Sequence, residues 1–314
     1  MTDRRKVWAL HAALIVALFA AQFILPPYHA TNLARIMVLA VFAMGYNLAF
    51  GYTGLLSLGH ALFFAAGLYG AGLAIHLLEW TALPALVAGL IAGGGAAAAV
   101  GVLALRTTGV SFMVVTLMFA QAGYLTLLYA APLTGGDEGF VIDRAGRNIA
   151  GLDLALDGYR YGLALGLFAA GLALCLWLVR SRFGRVMVAV RENEERTRML
   201  GYNPFTVKLG ALVVSGLYAG AAGAAYALLF GYVGASFATI QYSILPMLYV
   251  LLGGAGTVIG PFLGAAVMFY LIDIASGLTS ASLFVVGAVL VTVVLFAPKG
   301  ILGSLRDRWV KWLP

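Results

Sequence analysis

Charge is what this chain has least of. Asp, Glu, Lys and Arg together fill 10% of its 314 positions, against about a quarter in a soluble domain. That is too little polar surface to cover a water-facing exterior, so a soluble globular fold is excluded. Cysteine occurs once, at Cys175 inside an apolar run. This excludes an intramolecular disulfide and a cysteine-based metal cluster. The four histidines, His11, His29, His60 and His76, do not fall at metal-ligand spacing. No Walker A phosphate loop, H-E-x-x-H or G-x-S-x-G occurs. No acid, base and nucleophile set converges, so the chain is expected to be neither an enzyme nor the holder of a cofactor or metal.

What the chain has in abundance is apolar sequence: 63% of residues are hydrophobic and the mean hydropathy is +0.99. Apolar runs near the 20 residues that cross a bilayer recur along it, over 7–25, 33–50, 55–78, 82–105, 110–131, 161–179, 209–232, 243–252, 260–276 and 282–297. The expectation is an all-α polytopic membrane protein of about ten transmembrane helices. It is read as one transmembrane domain over residues 1–314, with no room for a separate soluble unit. The first run follows Arg4, Arg5 and Lys6 and continues to Pro26-Pro27, longer than a cleaved signal needs, so a retained anchor is expected.

The net charge of +7 reflects topology, not nucleic-acid binding. An even number of crossings puts both termini on one side. Fifteen of the 19 basic residues then fall on that side, which the positive-inside rule places in the cytoplasm. Arg35, Arg144, Arg147 and Arg160 fall opposite, and the acidic stretch 132–160 becomes an outward loop. Residues 180–208 form the densest charged run, with Phe183, Val186, Met187, Val190, Met199 and Leu200 recurring near helical spacing. One or two short amphipathic helices at the cytoplasmic surface are expected there. They serve either as an anchor on anionic lipid or as a docking element for a soluble partner.

Glycines interrupt the apolar runs at Gly51-Tyr52-Thr53-Gly54 and at Gly253-Gly254-Ala255-Gly256. Non-helical backbone at membrane depth survives only where protein or a water path satisfies it; simple helix packing is the plain alternative. Small residues at Gly89, Gly93, Gly216, Gly220 and Gly223 allow close helix approach. Phe50-Gly51-Tyr52-Thr53-Gly54 and Phe230-Gly231-Tyr232-Val233-Gly234 end two runs of opposite direction, as an inverted repeat requires. Two ionisable residues stand inside spans. His60 is either functional or hydrogen-bonded to a neighbouring helix, and Asp273 is either a coupling-ion site or close enough to the outer interface to reach water.

Several of these residues resemble one family. Gly54-Leu55-Leu56-Ser57-Leu58-Gly59-His60-Ala61 is similar to the Gly-x-Leu-Ser-Leu-Gly-His-Ala signature of LivM-type permeases of branched-chain amino-acid ABC importers. So are Leu133-Thr134-Gly135-Gly136 with Gly139, Arg180-Ser181-Arg182-Phe183-Gly184-Arg185 with Arg191-Glu192, Leu252-Gly253-Gly254-Ala255-Gly256 with Gly260-Pro261 and Gly264, and Pro298-Lys299-Gly300. The resemblance implies a type II ABC importer permease fold in the bacterial inner membrane. It implies four further subunits: a homologous second permease, two cytoplasmic ATPase subunits and a periplasmic solute-binding protein. Residues 180–208 would carry the coupling helix, with Arg191, Glu192, Glu194, Glu195 and Gly201 as contacts to the ATPase. Thr197 and Arg198 depart from the family's usual residues there.

Ser57, His60, Phe64, Thr116 and Gln121 are the candidates for the translocation path, and Gly51, Gly54, Gly253, Gly254 and Gly256 for its helix breaks. Gln121 stands where many members have Glu, and Asp137-Glu138 replace the commoner Pro-Asn. The expected cargo is a branched-chain amino acid or a related amide or organic acid. A stand-alone ion-coupled carrier is the alternative, and it would need buried acids.

Overall fold

In the computed structural model the described residues are 3–149, 151–278, 281–297 and 299–308. The long helices are α1 (Asp3–Ile24), α2 (Pro27–Asn47), α3 (His60–Leu78), α4 (Ala82–Ala104) and α5 (Val110–Tyr129). A four-residue α6 (Ala131–Thr134) follows, then α7 (Asp157–Arg180), α8 (Arg182–Glu192), α9 (Glu194–Met199) and α10 (Pro204–Phe230). The chain continues through α11 (Ile240–Gly253), α12 (Gly260–Leu278), α13 (Ser282–Phe296) and α14 (Gly300–Arg308). Four two-residue strands, β1 (Phe140–Val141), β2 (Asn148–Ile149), β3 (Leu152–Asp153) and β4 (Tyr232–Val233), complete it. Each of the ten expected apolar segments contains a helix. Eight helices among the described residues are long and apolar enough to cross a membrane, whereas α11 has 14 residues and α13 has 15.

Burial sorts the helices. Most of α2 and α10 is buried, while α1 and α5 turn most of their surface outward. The α3–α4 hairpin packs on α10, and the α11–α12 pair packs on α2. Each long core helix thus holds the hairpin that follows the other, the arrangement an inverted repeat produces. Glycine makes the first contact possible. A Cβ on Gly67 would lie 2.2 Å from the Gly220 carbonyl oxygen, and one on Gly93 2.4 Å from the Gly220 Cα. With no hydrophobic drive between helices in lipid, such close backbone approach supplies the cohesion.

The loops collect on two faces. On one, α8 and α9 lie beside Gly54, the 105–109 turn and residues 254–259; this is the charged face. On the other, β1 pairs antiparallel with β4, so the 132–160 loop is stitched to the end of α10. That loop is more ordered than a polar stretch suggests, because β2 and β3 form a hairpin clamped by an Arg144–Asp153 ion pair. Thr134 and Gly135 make the turn that leads to it. The Thr134 hydroxyl donates to the Ala130 carbonyl at 3.0 Å and accepts from the Gly136 N–H at 3.2 Å. The two similar pentapeptides end on opposite faces, Gly54 beside Arg191 and Gly231 beside Arg147.

The Asp273 carboxylate on α12 is paired: the Tyr28 hydroxyl lies 2.8 and 2.9 Å from its oxygens. Three boundaries are corrected. The third helix begins at His60, not at Leu55, because Gly54 takes a positive φ of 77° and residues 55–59 run non-helically. Gly51 does not break its helix but lies within a wide π turn, Leu48–Tyr52. Gly253 is the last residue of α11, and the break falls at Gly254, whose φ of 122° few side chains tolerate.

Candidate functional site

The segment between Gly54 and His60 leaves backbone donors without helical partners, inside the bundle. Two other helices and the segment's own Ser57 supply the missing partners. The Leu58 N–H donates to the Thr116 hydroxyl of α5 at 3.1 Å, and Thr116 in turn donates to the Met113 carbonyl at 2.9 Å. The Gly59 N–H donates to the Ser57 hydroxyl at 3.1 Å, and the Ala61 N–H to Ser243 of α11 at 3.0 Å. His60 Nε2 and Ser215 Oγ of α10 share a hydrogen bond of 2.7 Å. This is the neighbouring-helix bond considered for that histidine, and it ties the start of α3 to the core.

Ser57, His60, Phe64 and Thr116 are all fully buried. Phe64 joins an aromatic cluster with Phe42, Tyr226, Phe237 and Tyr242, at ring separations of 4.9 to 6.0 Å. The structure thus brings four of the five path candidates into one core around the broken segment, where none lines an open channel. The fifth, Gln121, is exposed on α5, away from them.

A second arrangement joins the breaks to the charged run. The last turn of α2 has its carbonyls fully assigned. Leu48 accepts from the Thr53 hydroxyl at 2.9 Å, Ala49 from the Leu55 N–H at 2.8 Å, and Phe50 from the Gly54 N–H at 2.9 Å. Gly51 accepts from Arg191 Nη1, at the end of α8. A helix end buried in a membrane needs such partners, and here the last one comes from the surface helix. Asn47 adds a bridge. Its Nδ2 donates to the Thr257 carbonyl at 2.8 Å and its Oδ1 accepts from the Gly256 N–H at 2.9 Å. Gly51 must be glycine for this, since a Cβ there would sit 2.0 Å from Asn47 Oδ1. The two glycine breaks are therefore locked to each other through Asn47, and Arg191 is bonded to the first of them at Gly51.

The charged residues divide into two groups. Arg191 is turned inward and also pairs with Glu192 at 2.8 Å, and Glu194 is held by Lys208 of α10. Glu192 and Glu195 are exposed. Gly201, at φ 88°, ends the α9 turn with open space around it. Thr197 is buried, its hydroxyl returned to the Asn193 carbonyl at 2.8 Å. Met187 and Val190 form the buried face of α8 as the spacing predicts. Met199 and Leu200 do not follow it. They are 86% and 70% exposed, because α9 has only six residues and its end projects past the body.

Between these charges and the breaks lies a cleft of about 410 Å³, lined by Gly54, Leu56, Thr107, Arg191, Glu194 and Lys208 among others. Sequence reasoning missed Asn47, Ser215, Ser243 and Thr257; their signal was a polar side chain in or beside an apolar span. No group of three or more metal-ligating side chains occurs among the described residues.

This geometry, a membrane body whose broken helices are tied to a surface helix, meets a matching family description. Residues 29–294 match the model of the branched-chain amino acid transport system / permease component family. The chain belongs to that family. The permease is 29% identical to the high-affinity branched-chain amino acid transport system permease protein LivM of Escherichia coli (strain K12), over 98% of its own length and 77% of that protein's. To LivM of Salmonella typhimurium it is 28% identical over the same shares. Over 40% of each chain it is 34% identical to the autoinducer 2 import system permease protein LsrC of Photorhabdus luminescens. No solved structure matches it. The permease is thus a membrane subunit of an ATP-binding-cassette importer, and the ion-coupled alternative is set aside.

Proposed function

We propose that this permease carries a branched-chain amino acid, or a related small amide or organic acid, across the bacterial inner membrane as half of a type II importer channel. The charged face lies in the cytoplasm with both termini, as the distribution of basic residues supports. A homologous second permease completes the path, two ATPase subunits dock from the cytoplasm, and a periplasmic binding protein delivers solute to the face bearing the 132–160 loop. Glu192 and Glu195, with Met199, Leu200 and Tyr202, form the docking surface: they are exposed, mixed in character and contiguous in the chain. Arg191 and Glu194 act one step behind, joining that surface to the membrane body.

The observation that carries this reading is the Arg191 bond to the Gly51 carbonyl. When ATP closes the soluble subunits, α8 is displaced, and the displacement reaches the end of α2 and, through Asn47, the 254–259 break. Two access states biased from outside the membrane are what alternating access requires. The test is to purify the permease from its native membrane and reconstitute it with and without its co-purifying subunits. A stable complex with an ATPase, and uptake that needs ATP, are expected. Uptake by the isolated chain under an ion gradient would end the proposal.

A further inference from the structure

A groove on the outer surface of α7 plays no part in the coupling geometry. It encloses about 380 Å³ between α4, α7 and α10, with Val41 of α2 behind it. Leu90, Leu167, Ala170, Leu174 and Leu217 are among its walls, and the lining is almost wholly apolar. Its length is informative. From Leu167 to Leu178 along α7 is about 16 Å at 1.5 Å per residue, roughly half of the ~30 Å hydrocarbon core. The groove therefore runs from the middle of the membrane to one interface. It arrives there at Trp177, which is 66% exposed, the kind of ring that marks a headgroup boundary.

That interface is the charged face, and the groove stops at the corner between α7 and α8. The Phe183 ring lies against Gly210, within 3.1 Å of where its Cβ would be, one turn from the groove residue Val214. The corner carries Arg180, Arg182 and Arg185. None of the three is ion-paired to a carboxylate among the described residues. Arg182 and Arg185 are exposed, whereas the Nη1 of Arg180 is buried.

We propose that the groove holds one acyl chain of an anionic phospholipid from the leaflet on the charged face, with its phosphate on Arg182 and Arg185 at that corner. A chain fits where a helix about 10 Å across would not. Arg182 and Arg185, exposed and without carboxylate partners, make this corner complementary to an anion. Because Ser181 caps α8 at the same corner, a bound headgroup fixes the start of the helix that ends at Arg191. This regulatory consequence rests on the coupling reading; the binding does not.

The binding is tested on the intact purified complex in lipid nanodiscs, by quenching of Trp177 with acyl-brominated lipid, the Trp177→Phe protein giving the background. Brominated phosphatidylglycerol is expected to quench Trp177 at roughly 25-fold lower mole fraction than brominated phosphatidylcholine, about fivefold for each arginine. Arg182→Gln and Arg185→Gln should each erase about fivefold of that preference, as a phosphate contact near a membrane surface implies. Ala170→Phe, which fills the groove, should abolish the preference for phosphatidylglycerol while the complex stays assembled. Equal quenching by the two lipids overturns the proposal. So does the absence of quenching in the wild-type complex, which would show the groove occupied by protein.

Discussion

The Gly51 carbonyl and the Arg191 guanidinium are hydrogen-bonded across 140 positions of sequence. A charge-assisted bond of this kind contributes about 1.5–3 kcal/mol, and it joins the π turn that closes α2 to the charged surface helix α8. Arg191 is also the only side chain bonded at once to that carbonyl and to an exposed glutamate among the described residues. Lysine cannot make both bonds with one planar group. Arg191→Lys and Arg191→Ala are therefore expected to leave ATP hydrolysis by the assembled complex largely intact while uptake falls about tenfold, the equivalent of 1.4 kcal/mol. Uptake at the wild-type rate in both variants would show that the bond transmits nothing.

The glutamates of the charged run divide by exposure. Glu192→Lys with Glu195→Lys should leave the melting temperature unchanged, since exposed substitutions shift stability by less than about 0.5 kcal/mol, yet should weaken binding to the ATPase subunits in a pull-down. Glu194→Lys behaves differently, because it sets a second cation against Lys208, whose side chain is only 16% exposed. It should loosen the seat of α9, measured as faster amide exchange over Glu194–Met199. The exchanged pair, Glu194→Lys with Lys208→Glu, should restore slow exchange. If the swap restores nothing, the pair is not what seats α9.

Glycines at helix contacts and glycines facing outward should respond oppositely to a methyl group. A Cβ on Gly67 would press 2.2 Å from the Gly220 oxygen, whereas one on Gly95 meets nothing within 4 Å. Gly67→Ala should cost about 1–3 kcal/mol by overpacking and lower the melting temperature in detergent. Gly95→Ala should be neutral or gain up to about 1 kcal/mol from helix propensity. Equal melting temperatures for the two variants would contradict the packing of α3, α4 and α10.

Asp153 gives a pH dependence to the 132–160 loop. The Ala155 N–H and then Arg144 stabilise its carboxylate and hold its pKa below the ordinary value. A depressed pKa means stabilisation that is fully present above the unfolded value and is lost as pH falls through the folded one. The β2–β3 hairpin should therefore exchange its amides slowly near neutral pH and faster only once the pH drops below the usual aspartate range. Asp153→Asn should show the fast behaviour at every pH.

Much of this was legible in the sequence, and for a reason. Hydropathy and the spacing of charge are answers to the bilayer, a boundary every segment meets separately. The apolar segments and the surface helix pair around Arg191 could therefore be read one stretch at a time. Glycine was less informative. Gly162 and Gly166 are spaced like Gly89 and Gly93, yet only the latter pair touches another helix.

What only the tertiary structure decided is which donor meets which acceptor. His60 finds Ser215 across 155 positions and Asn47 finds Thr257 across 210, and these meetings turn path candidates into a buried lock. The chain's local pattern determines that a helix breaks at Gly54. Where the freed backbone groups go depends on the packing of helices far apart in sequence, because a hydrogen bond is satisfied by whatever lies within 3 Å in space.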